Sequence, residues 1–66
     1  MEKVSINRAD FEELQRIIHI GPVRSANILS ERIFNGPFKD IYEISNISRL
    51  GQKRMEDIIK QGIVDV

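Results

Sequence analysis

Apolar and polar positions along the chain alternate at helical spacing. Phe11, Leu14 and Ile17/Ile18 recur every three or four residues and predict a first helix from about Arg8 to Ile17. Asn7 is placed as its N-cap, Asp10 completes a capping box, and Ile6 with Phe11 are set as a hydrophobic staple. His19-Ile20-Gly21 reads as a tight turn. Pro22 then opens a second helix, because its fixed φ suits the first position and its missing N–H would be unpaired there anyway. Ser25/Ala26, Ile28/Leu29 and Ile33 form the apolar stripe of that helix, and Asn35-Gly36-Pro37 ends it. Phe38 is expected to plug the core at the crossover. Asp40 with Glu43 forms another capping box, opening a short third helix over Ile41, Tyr42, Ile44 and Ile47. That helix is placed about three residues later than its counterpart in the first half. Ser48-Arg49-Leu50-Gly51 is the second turn, and a fourth helix from about Gln52 to Gln61 buries Met55, Ile58 and Ile59. Gly62 stands where a C-cap glycine belongs, and Ile63-Val64 are expected to fold back on the core. No hairpin signal occurs, and Val4-Ser5-Ile6 is too short and isolated to begin a sheet. The pattern is all-α.

The two halves are copies. At an offset of thirty positions Asp10 meets Asp40, Glu13 meets Glu43, Ile17 meets Ile47 and Gly21 meets Gly51. Arg24 then meets Arg54, Ile28 meets Ile58 and Ile33 meets Ile63. One helix-turn-helix unit, pivoting on glycine, is therefore written twice.

Composition adds bounds. A chain of 66 residues makes one small domain, near the size at which a core needs no staple. With no cysteine there is no disulfide or cysteine-zinc framework to help, and no indication of redox compartment. No apolar run reaches membrane-spanning length, and the first seven residues carry no signal-like segment. Net charge is zero, against a strongly polyanion-seeking surface on the global measure. The distribution is patterned, however. Between Leu14 and Ser30 the only charged side chains are Arg16 and Arg24, with His19 at the turn; between Ile44 and Met55 they are Arg49, Lys53 and Arg54. Both turns lie in acid-free basic windows.

No catalytic, metal or cofactor constellation stands out. His19 is the only histidine and reads as a solvated turn residue, not as a metal ligand or triad member. Asp10/Glu13 and Asp40/Glu43 read as caps rather than acid-base pairs. Phe11, Phe34, Phe38 and Tyr42 are assigned to the core, not to base stacking.

Five stretches carry a family resemblance: Val4-Ser5-Ile6-Asn7, Glu12-Glu13-Leu14, Ile20-Gly21-Pro22, Asn35-Gly36-Pro37-Phe38 and Ile47-Ser48-Arg49-Leu50-Gly51. Over residues 4–63 the chain resembles tandem helix-hairpin-helix domains, especially the DNA-binding domains of ComEA-type bacterial competence receptors. The resemblance implies a single SAM/RuvA-like domain over residues 1–66. It would hold four main helices in two pseudo-repeated hairpins, repeat one about 7–35 and repeat two about 38–63.

It also implies sequence-independent binding of double-stranded DNA from the minor-groove side, as a domain alone or fused to a larger DNA-uptake or DNA-processing protein, in a bacterial cell-surface or extracellular setting. The physics is that glycine at 21 and 51 allows a positive φ and close main-chain approach. The first N–H groups of the following helix are unpaired and lie at its positive dipole end. Mapped onto this chain, the expected contacts are His19, Ile20, Gly21, Val23 and Arg24 in the first hairpin. In the second they are Arg49, Leu50, Gly51, Gln52, Lys53 and Arg54. Pro22 cannot donate whereas Gln52 can, and the second hairpin has an extra cation, so it is expected to be the stronger phosphate site. Phosphate contacts carry little base information.

The family turn has Gly-hydrophobic-Gly, and here the first glycine is replaced by His19 and by Arg49. If these positions take positive φ, the cost is on the order of 1 kcal/mol each, less for His than for Arg. The alternative function is a structural or protein-interaction module that keeps the fold without DNA. Zero net charge and the replaced glycines favour that alternative; the basic windows favour DNA.

Overall fold

Asp10 and Asp40 start the first helix of each copy in the same way. Asp10 accepts from the Glu13 amide at 2.8 Å, and its own N–H donates to Glu13 Oε1 at 3.1 Å. Asp40 accepts from the Tyr42 amide at 2.9 Å and donates to Glu43 Oε2 at 3.0 Å. Both carboxylate pairs are therefore caps. The computed structural model describes residues 2–66. In order they form β1 (Val4–Ser5), α1 (Phe11–Leu14), α2 (Pro22–Phe34), a 3-10 helix (Ile41–Asn46), α3 (Gly51–Gln61) and β2 (Val64–Asp65). Four helical elements in two hairpins make up the fold.

Helix boundaries differ from the sequence expectation. The first helix begins at Phe11, not Arg8, because Asn7 is committed elsewhere. Its amide donates to the Phe38 carbonyl at 3.0 Å and its oxygen accepts from the Phe38 N–H at 2.7 Å, which pins the connector between the copies. The third helix starts at Ile41, thirty residues after Phe11 and not three residues late, since both starts are set by an aspartate cap. Beyond each short helix the chain tightens into three-residue turns that also repeat. Ile17 N–H donates to Leu14 and Ile20 to Ile17; thirty residues on, Ile47 donates to Ile44 and Leu50 to Ile47.

The core follows the same symmetry. Leu14 and Ile44, Ile20 and Leu50, Ser25 and Met55, and Ile28 and Ile58 are all buried and lie at equivalent positions. Each full aliphatic burial stabilises by roughly 1.5–3 kcal/mol. Ser25, the one buried polar residue among those described, donates its hydroxyl to the Phe11 carbonyl at 2.7 Å, so its burial leaves nothing unpaired. Phe38 plugs the crossover as expected, and Ile63 and Val64 fold back on the core.

Less of the apolar pattern is buried than its spacing predicts. Phe34 is 81% exposed, Tyr42 58% and Phe11 39%, and Ile33, Ile59 and Ala26 also face solvent. Ile33 and Ile63 show why equivalent positions part. Ile63 is covered where its carbonyl accepts from Val4 N–H at 2.6 Å, whereas Ile33 and Phe34 end the thirteen-residue α2 beyond the packed layer. The stretch Val4–Ser5 does enter a sheet. It pairs in parallel with Val64–Asp65, Val4 against Val64 and Ser5 against Asp65, and Ser5 Oγ donates to the Val66 carbonyl at 2.6 Å. A partner sixty residues away leaves no local hairpin signal. This small clasp ties the two ends of the chain.

Candidate nucleic-acid interface

Each turn is built from left-handed residues followed by a helix start. His19 has φ 69°, Ser48 φ 49° and Arg49 φ 56°. The positions where the family pattern carries glycine are thus held at positive φ by non-glycine residues, a cost of about 1–2 kcal/mol each. Gly51 has φ 76°, which glycine accommodates freely. Gly21 differs from the expectation: at φ −100° and ψ −165° it is extended, and a Cβ there would meet no atom within 4 Å. Neither conformation nor packing in the fold requires glycine at 21.

The helix starts set the donors. α2 begins at Pro22, so Val23 and Arg24 are its first-turn amides, while Ser25 N–H already reaches the Gly21 carbonyl at 2.9 Å. α3 begins at Gly51, one residue earlier than expected, and offers Gly51, Gln52 and Lys53. Ile20 and Leu50 are buried core residues whose side chains face away from solvent, so only their main chain borders the site. A cleft of about 360 Å³ is lined by Gly21, Pro22, Val23 and Arg24 together with Ser48. That cleft brings the two turns onto one face. A second opening of about 490 Å³ lies beyond Gly51 and Gln52, against Tyr42 and Met55.

The cations divide into two kinds. Arg49, Lys53 and Arg54 are exposed. Arg54 Nη1 makes only a long 3.5 Å contact to the Leu50 carbonyl. Arg24 is half-buried, donates Nη1 to the His19 carbonyl at 3.0 Å, and has its Nε buried without a hydrogen-bond partner among the described residues. It braces the first turn from within. Val23, where the second copy has Lys53, is 72% exposed, and Gln52 reaches Glu56 at 3.4 Å.

His19 is not the solvated turn residue expected. It is half-buried, and its Nε2 lies 2.8 Å from Asp57 Oδ2 on α3. That hydrogen bond holds the Asp57 carboxyl below its usual range, with smaller help from the charges of His19, Lys60 and Lys53. Asn27 on α2 donates to Ser48 Oγ in the second turn. Gln61 accepts from Ile18 N–H at 2.8 Å and donates to the Arg16 carbonyl at 3.1 Å. Sequence reasoning does not single out Asn27, Asp57 or Gln61, and places Ser48 only as a member of the second turn. The one signal available was that 27 and 57 are equivalent positions, which becomes informative only once the turns are known to face the opposite repeat.

These geometries give a stability expectation for the second turn. Arg49→Gly removes a positive-φ side chain that makes no hydrogen bond among the described residues, while adding unfolded-state entropy worth about 0.4–1 kcal/mol. The net gain is about 0.5–1 kcal/mol, a rise of a few degrees in thermal midpoint. An unchanged or lower midpoint would mean the turn stores no strain at Arg49. His19→Gly gains less, because it gives up the Asp57 contact.

No helix among the described residues is long and apolar enough to cross a membrane, and no group of three His, Cys, Asp or Glu there is placed to hold a metal. Comparison with known proteins matches the helix-hairpin-helix motif model over residues 1–61. The chain is also similar to ComE operon protein 1 of Bacillus subtilis, 42% identical over 55 residues. That match covers 83% of this chain and 27% of the relative, so the chain spans about a quarter of that protein's length.

Proposed function

The chain belongs to the helix-hairpin-helix motif family, and from that premise we propose that it binds double-stranded DNA without sequence preference. In this reading the amides of Val23 and Arg24 and those of Gly51, Gln52 and Lys53 hold phosphate oxygens on the two strands flanking a minor groove. Lys53, Arg54 and Arg49 supply charge. His19 and Arg24 act chiefly on the shape of the first turn, and Ile20 and Leu50 seat the turns in the core. The second hairpin is the stronger site, having one more backbone donor and the exposed cations. The module serves a larger DNA-uptake or DNA-processing protein of the competence type, and the likeness to ComE operon protein 1 supports that setting.

The observation that carries the reading is Gly21. Nothing in the fold asks for glycine there, yet a helix N-terminus follows it, and close approach of a phosphate is what a missing side chain permits. The test is titration of a random-sequence duplex at several salt concentrations. With about three to five phosphates neutralised, log K falls against log[salt] with a slope of about −3 to −4.5. Gly21→Ala keeps a near-native thermal midpoint, because reduced unfolded-state entropy offsets poorer N-capping, but binds the duplex more weakly. Absence of binding at low salt, or a flat salt response, would refute the DNA reading and leave the structural or protein-interaction role, which the zero net charge favours.

A further inference from the structure

Each turn of this protein is tied to the other repeat by a residue at the same helical position. Asn27 of α2 and Asp57 of α3 are thirty residues apart, at equivalent places in the two copies. Asp57 Oδ2 meets His19 Nε2 of the first turn at 2.8 Å, and Asn27 Nδ2 donates to Ser48 Oγ of the second. His19 and Ser48 are themselves left-handed turn residues, at φ 69° and 49°. Gln61 adds two more bonds from α3 to the approach of the first turn. Resting on the DNA reading above, we infer that Asp57 and Asn27 are positioning residues, which lock each hairpin against the second helix of the opposite repeat and so hold the two phosphate grips at one separation.

When two contacts sit on one body, the second is effectively intramolecular, and its benefit is lost if the two sites cannot engage together. The ties run crosswise, so moving either turn strains the other repeat's helix. They have different chemistry: the Asn27–Ser48 tie is neutral, whereas the Asp57 carboxylate in the His19–Asp57 tie is also faced by Lys53 and Lys60 of α3, and Arg24 of α2 holds the His19 carbonyl. That difference gives opposite predictions for Asp57. Simple electrostatics says that an acid on the helix carrying Lys53 and Arg54 repels a polyanion, so neutralising it should tighten binding. A positioning role says that neutralising it should loosen binding.

The experiment compares native protein with Asp57→Asn, Asp57→Glu and Asn27→Ala. Duplex affinity and salt slope are measured by fluorescence anisotropy. The orientation of α2 against α3 in the free proteins is measured by residual dipolar couplings, after thermal unfolding confirms that each variant is folded. Asp57→Asn and Asn27→Ala are expected to weaken binding about fivefold, at the low end of coupling between linked sites, with an unchanged salt slope because no phosphate contact is lost. The couplings should report a changed orientation, and Asp57→Glu should recover most of the affinity. Tighter or unchanged binding by Asp57→Asn, or native orientation in both variants, would overturn the inference. If the native chain binds no duplex, the DNA reading fails by itself, and the couplings alone decide whether the ties position the turns.

Discussion

Leu50→Ala is expected to unfold this protein or leave it barely folded at room temperature. Leu50 is 1% exposed and sits in the second turn between Arg49 at φ 56° and Gly51 at φ 76°. Its side chain is what anchors two left-handed residues to the core, and its N–H closes the turn onto Ile47 at 3.0 Å. Removing a buried leucine costs about 2–5 kcal/mol, depending on how far the cavity collapses. A single small core rarely supplies more than about 3–5 kcal/mol in total, so the loss is comparable to the whole stability. Thermal unfolding followed by circular dichroism should show a midpoint lowered by tens of degrees or no cooperative transition. Val23→Ala is the matched control, since Val23 is 72% exposed and should shift stability by less than about 0.5 kcal/mol. A near-native midpoint for Leu50→Ala would mean that the turn holds its shape without its core anchor.

The largest effect on binding is expected from the double change Lys53→Ala with Arg54→Ala. Both side chains are exposed on the first turn of α3, and among the described residues neither is paired with an acid. Removing two phosphate-directed charges should make the salt slope shallower by nearly 2 and weaken duplex binding by more than about tenfold at moderate salt. Arg24→Ala should act differently. Its guanidinium donates to the His19 carbonyl at 3.0 Å and is half-buried, so the change should lower thermal stability and alter the slope little. An anisotropy titration of the three proteins against one duplex decides the order. A greater loss of slope for Arg24→Ala than for the double change would reverse the ranking of the two hairpins.

Much of the fold was legible because its signals are local. The Asp40 capping box, Pro22 at a helix start, Asn35 at the end of α2 and Gly62 at φ 74° each depend on residues within one turn of chain. Periodicity at offset thirty also paired Ile28 with Ile58, which face the same interior, although its pairing of Ile33 with Ile63 does not carry over to burial. Asn7 was misread because two partners competed for one side chain: a helix start nearby and the Phe38 main chain thirty-one residues away, and the distant one won. Phe34 and Tyr42 were misread because an aromatic ring at helical spacing says that a face is apolar, not that another element covers it.

The candidate site divides along the same line. The two turns, their following helices and the basic windows were visible as a repeated string, because a turn and a helix start are made by neighbours in sequence. Which cation is free and which is spent was not visible. Arg24 and Arg54 are the same residue at equivalent positions, yet one is half-buried and braces the His19 carbonyl, while the other is exposed with only a long contact to the Leu50 carbonyl. Gly21 and Gly51 are likewise equivalent, yet only Gly51 takes a positive φ. Sequence alone determined that this chain is a doubled helix-turn-helix unit, since periodicity, caps and turn residues act over a few residues. Only the tertiary structure decided how the copies differ, because the parallel pairing of Val4 with Val64 and the crosswise ties of His19 with Asp57 and Asn27 with Ser48 join residues that no local pattern connects.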